Sequence, residues 1–395
     1  MTITVIIALA ILLLLAYVFD ISASRTRIPS VVLLLLLGFI TKQITTSLDI
    51  YIPNLNHILP ILGTVGLILI VLEGALELDI NKEKLPLILK SSLVALIPIL
   101  FISISISIYL TYYQGVPLKI ALANSIPLAI ISSAIAIPSA VNLLKSEKEF
   151  VTYESSLSDI FGVLFFNFIT LNDNIGSQSF GYFGLELIIM LVISFVSTLL
   201  LAGFLNKIKH HIKFVPMIIL VLLIYSTSKV FHLPGLIFIL IFGLFIRNID
   251  ELRNYKFIQQ FHPVNFSKEV HKFKEITAEF AFLIRSLFFI LFGFLIDILD
   301  ILNTETIAFA VSITAGIFVL RFTILKAFKI SILPLVYIAP RGLITILLFL
   351  SIPITQQIQF IDKSLITQVI ILSALVMMFG LMRNKKTHKG ASESY

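Results

Sequence analysis

Apolar runs of about 20 residues recur along this chain from Met1 to Leu381, and that recurrence constrains its fold more than any other feature. A run of that length crosses the roughly 30 Å hydrocarbon core of a bilayer as one helix. Lipid offers the backbone no hydrogen-bond partner, so only helices and closed barrels span it. A barrel would show shorter segments of alternating polarity. The chain is therefore expected to be an all-α polytopic membrane protein. Composition agrees, with 58% hydrophobic and 13% charged residues, where soluble domains run near half and a quarter. There is no cysteine, which excludes disulfides, thiolate metal sites and Cys nucleophiles. The first run has no basic segment before it and no small-residue cleavage site after it, so it reads as a spanning helix rather than a cleaved signal.

The pattern predicts about thirteen spans, at roughly 2–20, 28–47, 57–78, 86–111, 117–144, 152–172, 181–206, 212–230, 233–249, 277–301, 305–328, 331–352 and 365–383. Lys and Arg test that register. Of the 29, 22 fall in one set of alternate loops, from Arg25 and Arg27 to the tail after Arg383. Only Lys42, Lys119, Lys229 and Lys363 fall in the other, and Arg285, Arg321 and Arg341 lie within spans. Missing or inventing one span would scramble this bias. By the positive-inside rule the N-terminus is expected outside and the C-terminus in the cytoplasm. The net charge of +7 thus sorts by loop and forms no nucleic-acid patch. In the longest loop Phe266, Val270, Phe273, Ile276 and Phe280 recur at helical spacing among charged residues. They predict an amphipathic helix on the membrane surface.

Thirteen spans divide into six, one and six, which makes the second six inverted relative to the first. The fifth helix of each half carries proline: Pro127 and Pro138 in span five, Pro334 and Pro340 beside Gly342 in span twelve. Proline removes an N–H and clashes with the preceding turn. Each of these helices is expected to break mid-span and to bracket a site at the bilayer midplane.

Asp159 is the deepest acid. It lies about seven residues into span six, some 10 Å along the helix. A charge there costs roughly 3 kcal/mol on insertion scales, which points to a carboxylate that alternately carries a proton and a hard monovalent cation. Ser158, Ser156 and freed carbonyls would add oxygens. Glu154 lies about 140° around the same helix and is expected to pair with Arg321, whose charge cannot be neutralised. Arg341, beside the second break, either answers the carbonyl end of a half-helix or compensates Asp159. Arg285 is expected to snorkel to the cytoplasmic surface. Glu73 lines a cavity or packs in protonated form, and Glu77 is interfacial. Asp297 and Asp300 are expected to draw cations towards the outer face. His210, His211, His262 and His271 read as solvated loop residues. No phosphate loop, metal cluster or nucleotide domain is legible, so the chain is expected to be neither an enzyme nor an ATP-driven pump, and no cofactor is expected.

Several segments, in order, resemble the monovalent cation:proton antiporters, especially their sodium/proton exchanger branch. They are Arg27-Ile28-Pro29, Leu72-Glu73-Gly74-Ala75-Leu76, Glu154-Ser155-Ser156-Leu157-Ser158-Asp159, Phe288 to Gly293, Arg321, and Arg341-Gly342. The resemblance implies that Asp159 carries the ion, with Ser158 and Ser133 as further cation ligands and Glu154, Arg321 and Arg341 compensating charge. It implies a single transporter domain over 1–383 followed by a short tail, 384–395. Helices at about 2–78 and 212–301 would form a dimer scaffold. Those at about 86–172 and 305–383 would form a moving core, with 181–206 as linker. The implied activity is exchange of a monovalent cation, sodium before potassium or lithium, for H⁺ across the inner membrane. The implied partners are that cation, H⁺, the lipid bilayer and a second copy of the chain, with no nucleic acid. Two departures bear on selectivity. Ser158 stands where the branch has Asn, and span five reads Ser132-Ser133-Ala134 without the usual Thr-Asp-Pro. The latter is closer to the potassium-efflux branch. A potassium antiporter, a proton-coupled symporter or a channel on the same fold stays open.

Overall fold

The computed structural model describes residues 2–26, 28–50, 55, 57–78, 83–172, 176–207, 214–231, 233, 235–248 and 266–383, and all regular structure among them is helical. The first half comprises α1 (Thr2–Thr26), α2 (Ser30–Ser47), α3 (Ile58–Glu77), α4 (Leu85–Gln114), α5 (Leu118–Ala129), α6 (Ser133–Ser139) and α7 (Lys145–Leu171). Then come α8 (Ser177–Lys207), α9 (Phe214–Val230), α10 (Gly235–Arg247), α11 (Phe266–Leu295), the single turn α12 (Ile298–Ile301) and α13 (Thr304–Ala327). A 3₁₀ turn (Leu335–Tyr337), α14 (Leu343–Ser351) and α15 (Lys363–Arg383) complete the fold. Helical segments fall at each expected span position. Among the described residues eight are long and apolar enough to cross a bilayer.

Two packed groups form. In one, α11 lies along α2 and α3, α3 along α10, α10 against α8 and α9, and α1 against α2. In the other, α4 packs on α5 and α7, α6 on α7, and α13 on α15 and the 3₁₀ turn. The groups meet where α3 touches α7 and α14. The α2–α11 contact is backbone to backbone. A Cβ on Gly38 would come within 2.0 Å of the Ile290 carbonyl oxygen, and one on Gly293 within 2.2 Å of that of Leu35. Small residues that admit such approach are how helices associate in lipid, where apolar burial between helices drives little.

The sequence reading needs four corrections here. The Phe266–Phe280 stretch is not a separate surface helix. It is the first half of the continuous α11, and its Val270 and Phe273 are buried against the fold. Its apolar stripe serves tertiary packing rather than lipid headgroups. Span ten ends at Leu295, not near 301, because the chain turns at Ile296 and Asp297 caps α12. Asp297 and Asp300 do not stand free to draw cations: Lys42 pairs with the first, and Lys363 pairs with the second at 3.0 Å. Arg285 does not snorkel; it is buried on α11, within electrostatic reach of Glu73. Glu77 lies at the rim of its helix, 3.5 Å from Lys274. His271 is exposed beside Glu275. His210, His211, His262, residues 250–265 and the tail 384–395 lie outside the described residues.

Candidate functional site

Both matched breaks are present, but only the second contains a proline. In span five the helix stops at Ala129 and restarts at Ser133, with Ile130 and Ser132 extended. Pro127 and Pro138 sit inside the flanking half-helices. In span twelve Ile338–Gly342 runs without helix between the 3₁₀ turn and α14, and here Pro340 is within the break. Broken helices leave N–H and C=O groups that must find partners in a dry interior. Several of the freed groups can be followed to their partners.

The two breaks cross. The Ser132 N–H donates to the Pro340 carbonyl at 2.9 Å. The amides on either side of Ser132 are met by consecutive residues of α7: Ile131 N–H donates to Ser158 Oγ at 2.9 Å, and Ser133 N–H to Asp159 Oδ2 at 3.3 Å. The Ser133 hydroxyl donates to the same Asp159 oxygen. The carbonyl end of α5 faces Arg341, whose Nε donates to Leu128 O at 2.8 Å and Nη2 to Ala129 O at 3.1 Å. Nη1 donates to Ala339 O at 2.8 Å, and the Arg341 amide to Ser373 Oγ at 3.0 Å. Thus the negative pole of α5 meets a guanidinium and the positive pole of α6 meets a carboxylate, each sign as the helix dipole favours. Of the two roles open to Arg341, it takes the half-helix end.

Asp159 lies midway along α7 rather than near its start, because the helix begins at Lys145, several residues before the apolar run. It is buried. Among the described residues its Oδ1 has no hydrogen-bond partner, nor has the Oγ of Ser156 one turn before it. Both residues line a small cavity with Ser133 and Ile160, closed on the far side by Ile70, Val71 and Ala75 of α3 and Leu240 of α10. The carboxylate therefore sits at the seam between the two packed groups. Ser158 does not line that cavity, since its hydroxyl is turned to the Ile131 amide; Ser156 occupies the place expected of it.

Glu154 lies off this seam. Arg321 of α13 grips it with Nη1 to Oε1 at 2.6 Å and Nη2 to Oε2 at 2.9 Å, while its Nε donates to Leu335 O at 2.7 Å. A forked pair of this kind joins the two halves of the second group and commits both Glu154 oxygens to Arg321.

The model of the sodium/hydrogen exchanger transmembrane region matches residues 9–382. The chain belongs to the sodium/hydrogen exchanger family. As an exchanger it is a transporter and not an enzyme. Its fold is similar to that of the sodium proton antiporter MjNhaP1 from Methanocaldococcus jannaschii in two solved structures, each at 18% identity and a TM-score of 0.68. Both cover 97% of this chain, and this chain covers 98% and 95% of theirs. No curated protein matches the chain by sequence. Two parts of the exchanger's centre had escaped the sequence reading: the Pro340 carbonyl that receives Ser132, and Ser373, which anchors the Arg341 backbone. Ser373 carried a faint signal as one of a few polar residues in an apolar span. The Pro340 carbonyl carried none, because a backbone acceptor has no letter of its own.

Proposed function

We propose that this exchanger is a secondary antiporter that moves a monovalent cation, sodium before potassium or lithium, against H⁺ across the cytoplasmic membrane. Its role would lie in pH and cation homeostasis. One observation carries the reading: Asp159 is buried at a seam between two helix groups, holds one oxygen on Ser133, and leaves the other unpartnered beside a small cavity. A lone carboxylate cannot hold a proton and a cation at once, so competition between them couples their movements. With one such acid the exchange is one for one and electroneutral. Hard oxygens suit alkali cations, and Ser133 and Ser156 would complete the set around Asp159.

Access alternates by movement of α4–α7 and α13–α15 against a dimeric scaffold of α1–α3 and α9–α11, with α8 as linker. Support comes from the cavities along the seam. One of about 210 Å³ lies on the side of the lysine- and arginine-rich loops, between α1–α2 and α6–α7. On the opposite side the space between α3, α9, α7 and α14 is only about 40 Å³. That asymmetry is what an inward-facing state would have, with the N-terminus outside and the C-terminus in the cytoplasm.

The test is dequenching of a pH dye in proteoliposomes on addition of Li⁺, Na⁺, K⁺ or Rb⁺. Wild type should respond to at least one of these cations and Asp159→Asn to none, with the variant still eluting as folded protein. Exchange retained in Asp159→Asn would overturn the assignment. A current that reverses with voltage would overturn electroneutrality. Potassium as the cation is favoured by one feature, serines rather than a second aspartate at the span-five break, and the same salt series decides it.

A further inference from the structure

The larger cavity contains a carboxylate that the exchange reading does not use. Glu147 is in the first turn of α7 and is 8% exposed. Its Oε2 has no hydrogen-bond partner, and it has no ion-pair partner among the described residues. Its neighbour Glu149 is already committed to Lys84, at 3.4 Å. Glu147 lines the cavity of about 210 Å³ with Ser30, Ser139 and Asn142. Ser30 in turn donates to Asp20 Oδ1 at 3.1 Å, so a second carboxylate stands behind the wall. Ala134 and Ile135, on the same wall, directly follow the Ser133 that holds Asp159.

A buried carboxylate with an unpaired oxygen is costly unless something positive answers it. An acid in a first turn is ordinarily explained by the helix dipole, yet this oxygen receives none of the N–H groups of α7. The cavity that Glu147 lines, about 210 Å³, is far larger than the roughly 30 Å³ that one water occupies in the liquid. It can hold an ion together with part of its hydration shell. Serine and amide oxygens on the wall are hard donors of the kind alkali cations take.

We infer that Glu147 and this cavity form a second cation site, a loading site for a partly hydrated monovalent cation at the mouth of the seam. It lies twelve residues before Asp159 on one helix, about 18 Å at 1.5 Å per residue. The site concentrates the cation on one side of the membrane before dehydration at Asp159. This inference rests on the exchange reading for its role, but not for the binding itself.

Two measurements test it with the full-length protein. In everted and right-side-out membrane vesicles the cation dependence of exchange is titrated from each face. Glu147→Gln should raise the half-saturating cation concentration about tenfold on the face bearing Glu147, as loss of local counter-ion enrichment implies. It should leave the opposite face and the maximal rate within about twofold, and Glu147→Asp should restore most of the difference. A helix-dipole role would instead lower thermal stability and maximal rate together. If wild type exchanges and Glu147→Gln titrates like it on both faces, the loading site is wrong while the exchange reading stands. The second measurement is binding of radiolabelled sodium or rubidium to purified protein. Asp159→Asn should keep a saturable site that Asp159→Asn/Glu147→Gln loses. Absence of that residual site would overturn the inference whatever the transport assay gives.

Discussion

Ser132 donates its amide to the carbonyl of Pro340 across 2.9 Å, so the two broken helices, more than two hundred residues apart in sequence, cross through their own backbones. The crossing leaves little room. A Cβ on Gly342 would lie 2.6 Å from Ile135 Cδ1 and 2.9 Å from Ser132 Oγ. Gly342 is extended, at φ −173°, so the demand is for space and not for an unusual backbone. Gly342→Val should separate the breaks, cost about 1–3 kcal/mol as overpacking does, and reduce exchange at least tenfold. Thermal unfolding in detergent and the dye assay read the two effects. Wild-type behaviour of both would show that the crossing tolerates widening.

The Glu154–Arg321 pair makes a different prediction, about stability rather than ion binding. Removing one partner of a buried pair strands the other charge, at about 3–5 kcal/mol. Glu154→Gln and Arg321→Met should each lower the unfolding midpoint strongly. The double variant should lose less than the two combined, because no charge is then stranded. A double-mutant cycle on thermal midpoints measures the coupling. Additive losses would show that the pair does not act as a unit.

Ser133 touches the carboxylate itself. Ser133→Ala keeps the amide that reaches Asp159 Oδ2 but removes the hydroxyl. A charge-assisted hydrogen bond is worth about 1.5 kcal/mol or more, so the half-saturating cation concentration should change about tenfold while exchange persists. An unchanged cation dependence would remove the Ser133 hydroxyl from the ion site.

Past the end of α11, the hydrogen bond from Lys42 holds the Asp297 carboxyl below the usual aspartate range, outweighing its slight burial. A depressed value in the folded state means stability that is present above the unfolded aspartate pKa near 4. It is lost only as the pH falls further, through the folded value. Asp297 is largely exposed, so after solvent screening the contribution is about 0.5 kcal/mol or less. Asp297→Asn should therefore lower the unfolding midpoint by a degree or so at neutral pH. The difference from wild type should close in strong acid. A gap that widened on acidification would contradict the sign.

Much of the fold was legible because lipid enforces a simple code. Each span must be apolar and helical, and Lys and Arg sort by side, so positions of helices followed from letters alone. Asp159 and the Glu154–Arg321 pairing were legible for the same reason, since an unmatched charge in an apolar helix demands an explanation. Helix ends were less legible. Residues 266–280 carry a charged face that reads as a surface helix, and only packing of Phe273 and Val270 against the fold merges them into α11.

The sequence by itself determined that the chain spans a membrane many times, that two spans break, and that Asp159 lies deep in an apolar span. Tertiary structure decided what the freed groups of the breaks do. Ser158 and Asp159 meet the amides on either side of Ser132, so Ser158 caps the backbone while Asp159 does so with one oxygen and keeps the other unpartnered. Arg341 went to the carbonyls of Leu128 and Ala129 rather than to Asp159. The physical reason is common to all three: backbone donors and acceptors are identical at every residue and become specific only when two distant segments cross.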